Sequence, residues 1–573
     1  MKRNSYLVSR AFRSFLFASV MTVAASQMGA LVDGLMVTRL ISDTAMSAIN
    51  IAMPVLQLYF SLCLLLGVGG TIMAGKAIGA HERDRASQIF SLSTAAAVVI
   101  GLVLGLAGLA FFNPIVEFLC PDASIEVFAK EYMVITIPSG ALYMLMIVLQ
   151  MFVALDGEPK RVTVAVTTCI AVNLILDYVF MALFGWEMKG AAAATVISYL
   201  PAIAILLGHF RKKDTLRLRA GGRLKDLYEI SLSGAPSGFT GLLMSVQIFV
   251  CNIVAIDYLG TSGVIVFAVC MYLLRISMII LTGAIDSFQP VASILAGSGD
   301  NRGVAMVMGK AYSFLGASLV IYAGFMIFFP DFIGELFGVT ADTLSVAEVA
   351  IPAFAFNVIL QCAIGLLITV YQVYGNTTQA MAVSVGQPLL PMFFFWIFAA
   401  AGTGAWWGFA AGQCVLLLIL LLMVMKKKKS DVMPFFLIPR QSADNIFDTS
   451  LKPDMQDAGA QLHEADTWLQ SAGITTALRN RVVLSCEEII KNIIDHAGKI
   501  NRKVPSIDLR ISLLPDSVTA VVHDSGRPFN PVEQDPRTGL GLIIAKKSCD
   551  DMKYEFMFNQ NILTMTWNKP DNL

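Results

Sequence analysis

Arg211-Lys-Lys-Asp-Thr-Leu-Arg-Leu-Arg-Ala-Gly-Gly-Arg-Leu-Lys225 is a strongly basic segment set between two long apolar tracts. A run this charged stays out of lipid, and Lys and Arg hold their loops in the cytoplasm. It therefore divides the apolar part of the chain into two halves. Upstream, apolar stretches recur almost without pause from Ala11; downstream they continue to Met425. A bilayer-crossing helix needs roughly 20 such residues, and by that rule about twelve fit, with centres running from Met28 to Leu416.

Composition agrees with that reading. With a mean hydropathy of +0.69 and 14% charged residues, a chain of 573 residues is too apolar to be soluble throughout. The net charge is zero, which gives no footprint for a nucleic-acid partner. Nine cysteines are scattered with no C-x-x-C pair and no His at metal-binding spacing, so they read as small apolar fillers. The first apolar segment, Ala11 to Leu40, contains Asp33 and lacks a cleavage site of signal-peptide type, so it is expected to remain as a span.

The other basic clusters fall at Lys2 to Arg13, Lys76 to Arg85, Lys160 and Arg161, and Lys426 to Lys429. These are alternate loops, and the intervening loops carry Glu117, Asp122, Asp331 and Glu335 instead. Both termini are therefore expected in the cytoplasm, with an even number of spans. The two halves resemble each other at an offset of about 218 residues: Asp33–Ser42 lies against Asn252–Thr261, Gly79-Ala-His81 against Gly297-Ser-Gly299, and Asp156-Gly157 against Tyr374-Gly375. Repeats of equal orientation are related by an axis along the membrane normal, which puts the substrate path between them.

Two acids lie inside apolar spans of the first half, Asp33 and Asp177. A carboxylate in a bilayer costs roughly 2.5 to 3.5 kcal/mol on insertion scales, so such a group suggests function. Asn173 and Asp177 are one helical turn apart and share a face; together they could hold a proton, Na⁺ or a cationic substrate. The alternative is that each acid merely hydrogen-bonds a neighbouring helix. Arg275 and Asp286 are expected at the edges of a span, where snorkelling accounts for them.

With those residues in place, residues 1 to 425 resemble the multidrug and toxic compound extrusion (MATE) family. The likeness is carried by Asp33 followed by glycine, Gly79-Ala-His81, Asp156-Gly157, the Asn173-x-x-x-Asp177 pair, and Gln289-Pro290 leading to Gly297. It implies a V-shaped, two-lobed antiporter in the plasma membrane of a prokaryote, exporting organic cations or other amphiphiles against H⁺ or Na⁺. Asp33, Asn173 and Asp177 become the cation-coupling cluster. By offset, Pro391 and Phe395 stand opposite Asn173 and Asp177, which leaves the C-terminal lobe without equivalent acids.

After Lys429 the composition becomes that of a soluble domain. Residues 441 to 567 read as a strand, two helices, two strands, a glycine-bearing loop, a helix and a closing strand pair, an α+β sandwich. On its second helix Glu488, Asn492 and His496 share one stripe. An Asn carbonyl suits Mg²⁺, and a carboxylate one turn away can orient or deprotonate an attacking hydroxyl or water; a solvated polar face is the plain alternative. Downstream, Asp524-Ser-Gly526 ends a strand and Gly539-Leu-Gly541 opens a helix, where backbone N–H groups can approach phosphate.

In this order the three segments resemble the N, G1 and G2 boxes of the Bergerat-fold (GHKL) ATPases, and most of all the anti-sigma-factor serine kinases. The resemblance implies Asn492 as Mg²⁺ ligand, Glu488 as catalytic carboxylate, Asp524 as acceptor for the adenine amino group, and Gly526, Gly539 and Gly541 around a bound Mg-ATP. It also implies a partner protein phosphorylated on Ser or Thr. No G-x-x-x-x-G-K-[ST] loop occurs, so ATP is read as regulating rather than propelling transport.

The expected organisation is an all-α polytopic membrane protein of two six-helix lobes, residues 1–208 and 230–425, with a basic linker at 209–229. A second linker at 426–440 leads to the ATP-binding domain at 441–573. The leading reading is an ion-driven exporter carrying a nucleotide-binding regulatory domain. Two others stand beside it: a membrane sensor kinase whose MATE-like part binds a ligand without moving it, and an exporter whose soluble part is a degenerate scaffold.

Overall fold

A computed structural model describes residues 3–120, 123–212, 215–426, 432–433, 435–439, 445–497, 506–533 and 540–569. They gather into two compact units. One comprises Phe15–Asp300 and Met308–Ile438; the other comprises Met1–Ser14, Asn301–Val307 and Pro439–Leu573.

The first unit is helical. Its N-terminal half runs through α1 (Tyr6–Leu40), α2 (Asp43–Gly79), α3 (Arg83–Ala110), the short α4 (Phe112–Leu119), α5 (Ala123–Thr136), α6 (Gly140–Leu155), α7 (Pro159–Asp177) and α8 (Glu187–Leu207). Its C-terminal half follows with α9 (Leu224–Val254), α10 (Gly260–Gly297), α11 (Asn301–Phe328), the short α12 (Pro330–Leu336), α13 (Ala341–Val373), α14 (Thr377–Ala400) and α15 (Trp407–Lys426). Large apolar side chains such as Phe17 and Ile321 stand exposed at 73% and 76%, as a lipid-facing surface requires.

Among the described residues, ten helical segments are long and apolar enough to cross a bilayer, and the bent pair α5–α6 makes an eleventh. The longest of the ten, Leu224–Gly297 at 74 residues, is two spans. Near the start of α9, Ile230 and Gly234 lie against Gly69 of α2, while Ile294 at the end of α10 lies against Gly79 of the same helix. The chain must therefore reverse between them, and it does so at a π-helical turn ending in Gly260 with φ +66, a conformation that favours glycine. Six spans in each half result.

The repeat is legible in the geometry. At the end of α2 the N–H groups of Ala80, His81 and Glu82 return to the carbonyls of Lys76, Ile78 and Ala77; at the end of α10 those of Ser298, Gly299 and Asp300 return to Ile294, Ala296 and Leu295. His81 (φ 59) takes the left-handed conformation that Gly299 (φ 69) takes in the second repeat. The halves differ in their fourth span. Pro138 interrupts the first and bends α5 from α6 by 58°, because proline lacks a donor and clashes with the preceding turn, whereas α13 continues unbroken. The Tyr59 hydroxyl donates to the Ile137 carbonyl at this break (2.8 Å).

The second unit contains the strands β1 (Ile446–Leu451), β2 (Ile507–Leu513), β3 (Ser517–Asp524), β4 (Asp551–Met557) and β5 (Gln560–Asn568), in one antiparallel sheet of order β1-β2-β3-β5-β4. Helices α16 (Met455–Ser471), α17 (Thr476–Ala497) and α18 (Leu540–Ser548) share a core with it that includes Leu462, Ile490, Leu509, Val522 and Trp567. Alternation along β3 points Val518, Ala520, Val522 and Asp524 to that core face. The element order matches the sequence expectation.

On the other face of the sheet, Asp448 pairs across the strands with Arg510 and Ser450 with Asp508. Asp508 is almost wholly buried because the chain's own beginning lies over it. Arg3 Nε donates to Asp508 Oδ2 at 2.9 Å with both side chains 2% exposed, and Arg302 reaches Asp448 at 3.3 Å. Asn4 donates to Ser450 and Ser506, and Gln560 donates to the Leu7 carbonyl. The first turns of α1 and α11 thus belong to the fold of this unit.

Candidate functional site

Helices α1, α5, α7 and α8 bring together one polar group in the N-terminal lobe. Asp33 lies beside Asp177, and Asn173, one turn earlier on α7, faces the same carboxylate. Asp177 is fully buried, and among the described residues both its carboxylate oxygens and the Asn173 Nδ2 lack a partner at hydrogen-bonding geometry. Such orphaned groups are rare and costly unless something completes them. Asp177 also stands where α7 passes into a π-helical turn, Tyr178–Leu183, a departure often found at functional positions.

Tyr132 on α5, 4% exposed, lies within electrostatic reach of both acids and beside Thr195 of α8. Sequence reasoning missed both residues. A buried tyrosine amid apolar helix carries no local signal; only the packing of α5 on α8, and of α8 on α7, brings it to the acids. The repeat-related place in the C-terminal lobe is closed. Phe395 is fully buried and packs with Phe409, Trp406 and Phe267 at ring separations of 4.6, 5.8 and 6.0 Å.

Arg275 and Asp286 both lie on α10, a helix of 38 residues.

In the sheet-bearing unit, Asp524 closes β3. Its Oδ1 accepts from the Gly526 N–H (2.7 Å) and from Asn561 Nδ2 (2.9 Å), and Oδ2 has no partner among the described residues. Burial pushes this carboxyl above the usual range, against the lowering pull of those two donors. Asn561 is held in turn by the Tyr554 hydroxyl (2.7 Å) and gives a second bond to the Arg527 carbonyl (3.0 Å). It is the orienting residue that the motif reading missed, since it sits on β5 and meets Asp524 only through strand pairing.

Glu488 and Asn492 lie half-buried on α17, which packs against α18. A side chain at Gly541, in the first turn of α18, would displace the Glu488 carboxylate. Gly539 and the side chain of His496 lie outside the described residues. Among the described residues no cluster of three or more His, Cys, Asp or Glu forms a metal site.

Residues 18–179 and 236–397 each match the MatE family. The chain belongs to the MatE family. The two matches are themselves 218 residues apart at both ends, the spacing of the internal repeat. Residues 451–567 match the histidine kinase-like ATPase domain. This MATE protein is similar to the multidrug export protein MepA of Staphylococcus haemolyticus, at 24% identity over 360 residues, 61% of this chain and 78% of that protein. MepA of Staphylococcus aureus strain MSSA476 matches at 23% over 359 residues, with the same coverage.

Among solved structures, the Vibrio cholerae MATE transporter VcmN aligns with a TM-score of 0.68 at 17% identity, over 74% of this chain and 97% of that one. A MOP superfamily transporter from Pyrococcus furiosus aligns at 0.66 and 20% identity, over 74% and 98%. The fold is that of the MATE transporters, in a multi-pass membrane protein with a GHKL-type ATPase domain attached.

Proposed function

We propose that this chain is a secondary active exporter of amphiphilic or cationic organic compounds, driven by H⁺ or Na⁺ antiport. Asp33, Asn173 and Asp177 hold the coupling ion. The observation that carries this reading is the buried, partnerless carboxylate of Asp177 beside Asp33. A proton or Na⁺ would complete it, and a receptor that only binds a ligand has no need of it. Both termini face the cytoplasm of a prokaryotic cell.

The histidine kinase-like domain regulates transport through Mg-ATP. Bound there, Mg-ATP would supply a transferable phosphoryl group. Asn492 would hold the Mg²⁺, Glu488 would orient an attacking hydroxyl, the Oδ2 of Asp524 would accept from the adenine amino group, and Gly526, Gly539 and Gly541 would be the backbone elements around the nucleotide. A partner's Ser or Thr is the acceptor suggested by likeness to the anti-sigma-factor kinases. Regulation is supported by Arg3 and Arg302, which tie the first turns of α1 and α11 to Asp448 and Asp508 of the sheet. Helix α1 is also the helix that bears Asp33.

Proteoliposomes with an imposed H⁺ or Na⁺ gradient test both parts. Export of organic cations, lost in Asp177→Asn and altered by ATP on the domain-facing side, is the expected result. Gradient-independent binding without movement would favour the sensor reading.

A further inference from the structure

Asp286 is a charged residue on the membrane helix α10, eleven residues before its end, and its neighbours on that helix fix the direction it faces. Gly283 lies against Val20 of α1, and Gln289 donates to Thr71 of α2. Each three-residue step along an α-helix turns the side chain by about 60°, so Asp286 lies midway between those two directions. Both contacted helices belong to the N-terminal lobe. Asp286 therefore faces the opposite lobe, between α1 and α2.

It is exposed there, although Ser287, Phe288 and Gln289 beside it are buried. Among the described residues it has no ion pair and no hydrogen bond. The only cation of α10 is Arg275, whose guanidinium lies over the Tyr272 ring, 6.0 Å from its centre. Eleven residues of helix, about 16 Å along the axis, separate the two charges. Arg275 does not neutralise the carboxylate.

At the repeat-related position of α2 stands Val68, 8% exposed. At this pair of positions the repeats differ: α10 carries a carboxylate and α2 an apolar side chain. That combination suits an amphiphile with one cationic group and an apolar body, and an unpaired acid in a membrane helix marks a substrate or ion path. We propose that Asp286 is the counter-charge for an organic cation bound between the lobes, leaving Asp33 and Asp177 to the coupling ion. This rests on the export reading above and names the substrate's own site within it.

Ethidium is the probe, with full-length protein in nanodiscs for binding and in proteoliposomes for export. Asp286→Asn should weaken ethidium binding at least about tenfold and raise the KM for export in proportion, while Asp286→Glu stays within about threefold of wild type. Unchanged binding and KM in Asp286→Asn would overturn the assignment and leave export standing. Wild-type protein that neither binds nor moves ethidium or tetraphenylphosphonium removes the export reading and this assignment together.

Discussion

Thr71 and Gln289 occupy the same place in the two repeats, 218 residues apart, and they hydrogen-bond to each other at 2.8 Å. Equivalent residues can touch only next to the axis that relates the repeats. Around them the contacts are reciprocal: a side chain at Gly79 would meet the Ile294 carbonyl, and one at Gly297 would meet that of Lys76. Likewise Gly238 lies against Leu65, and Gly283 against Val20. The lobes close on each other at the C-terminal ends of α2 and α10.

Bulk placed at that contact should hold the lobes apart. For Gly297→Leu, overpacking typically costs about 1 to 3 kcal/mol in the closed arrangement. Ethidium efflux from cells should fall about tenfold or more at unchanged expression. Normal efflux would show that transport does not pass through this closure.

Asp177→Asn keeps the side chain's shape and removes its charge. Gradient-driven transport should fall by about two orders of magnitude, as expected when an essential ion-binding carboxylate is lost. Retained ion-coupled flux, measured in proteoliposomes, would exclude Asp177 from coupling.

Arg3 and Asp508 form an ion pair buried from water on both sides. Removing one member strands the other charge, at a cost of about 3 to 5 kcal/mol. Arg3→Ala should lower the urea midpoint of the sheet-bearing unit in the full-length protein accordingly. Arg3→Met with Asp508→Leu should recover much of that loss, because a well-packed apolar pair avoids the desolvation penalty. ATP should cease to alter transport in Arg3→Ala if this contact carries the signal.

Asn492→Ala should abolish Mg-ATP binding, as read by isothermal titration with the full-length protein. At Asp524 the sign of the pH effect follows from its raised pKa, caused first by burial. Its ionised form is disfavoured in the fold, so the domain gains stability as pH falls through the folded-state pKa toward the ordinary carboxylate range. ATP affinity moves the opposite way if the carboxylate accepts the adenine amino group. Asn561→Ala withdraws a donor and should move that loss of affinity to higher pH. An ATP affinity that does not change as pH falls from neutral through the ordinary carboxylate range would refute the role of Asp524.

Spans, repeat and domain order were legible in the sequence because each is a property of composition over a window or of residues close together. Apolar runs of bilayer length, the loop charge at Arg211 to Lys225 and the turns at Gly79 and Gly297 need no tertiary partner to be read. The acids Asp33 and Asp177 were visible for the same reason: a carboxylate in an apolar run stands out. The partners that give these residues meaning were not visible. Tyr132 and Asn561 look ordinary in their own helix and strand, and only packing and strand pairing bring them to Asp177 and Asp524. The direction in which Asp286 faces was not visible either: only the contacts of Gly283 and Gln289 turn it toward the other lobe. The pairing of Arg3 with Asp508 spans nearly the whole chain, and no local pattern encodes a contact whose energy arises only when both charges are buried together.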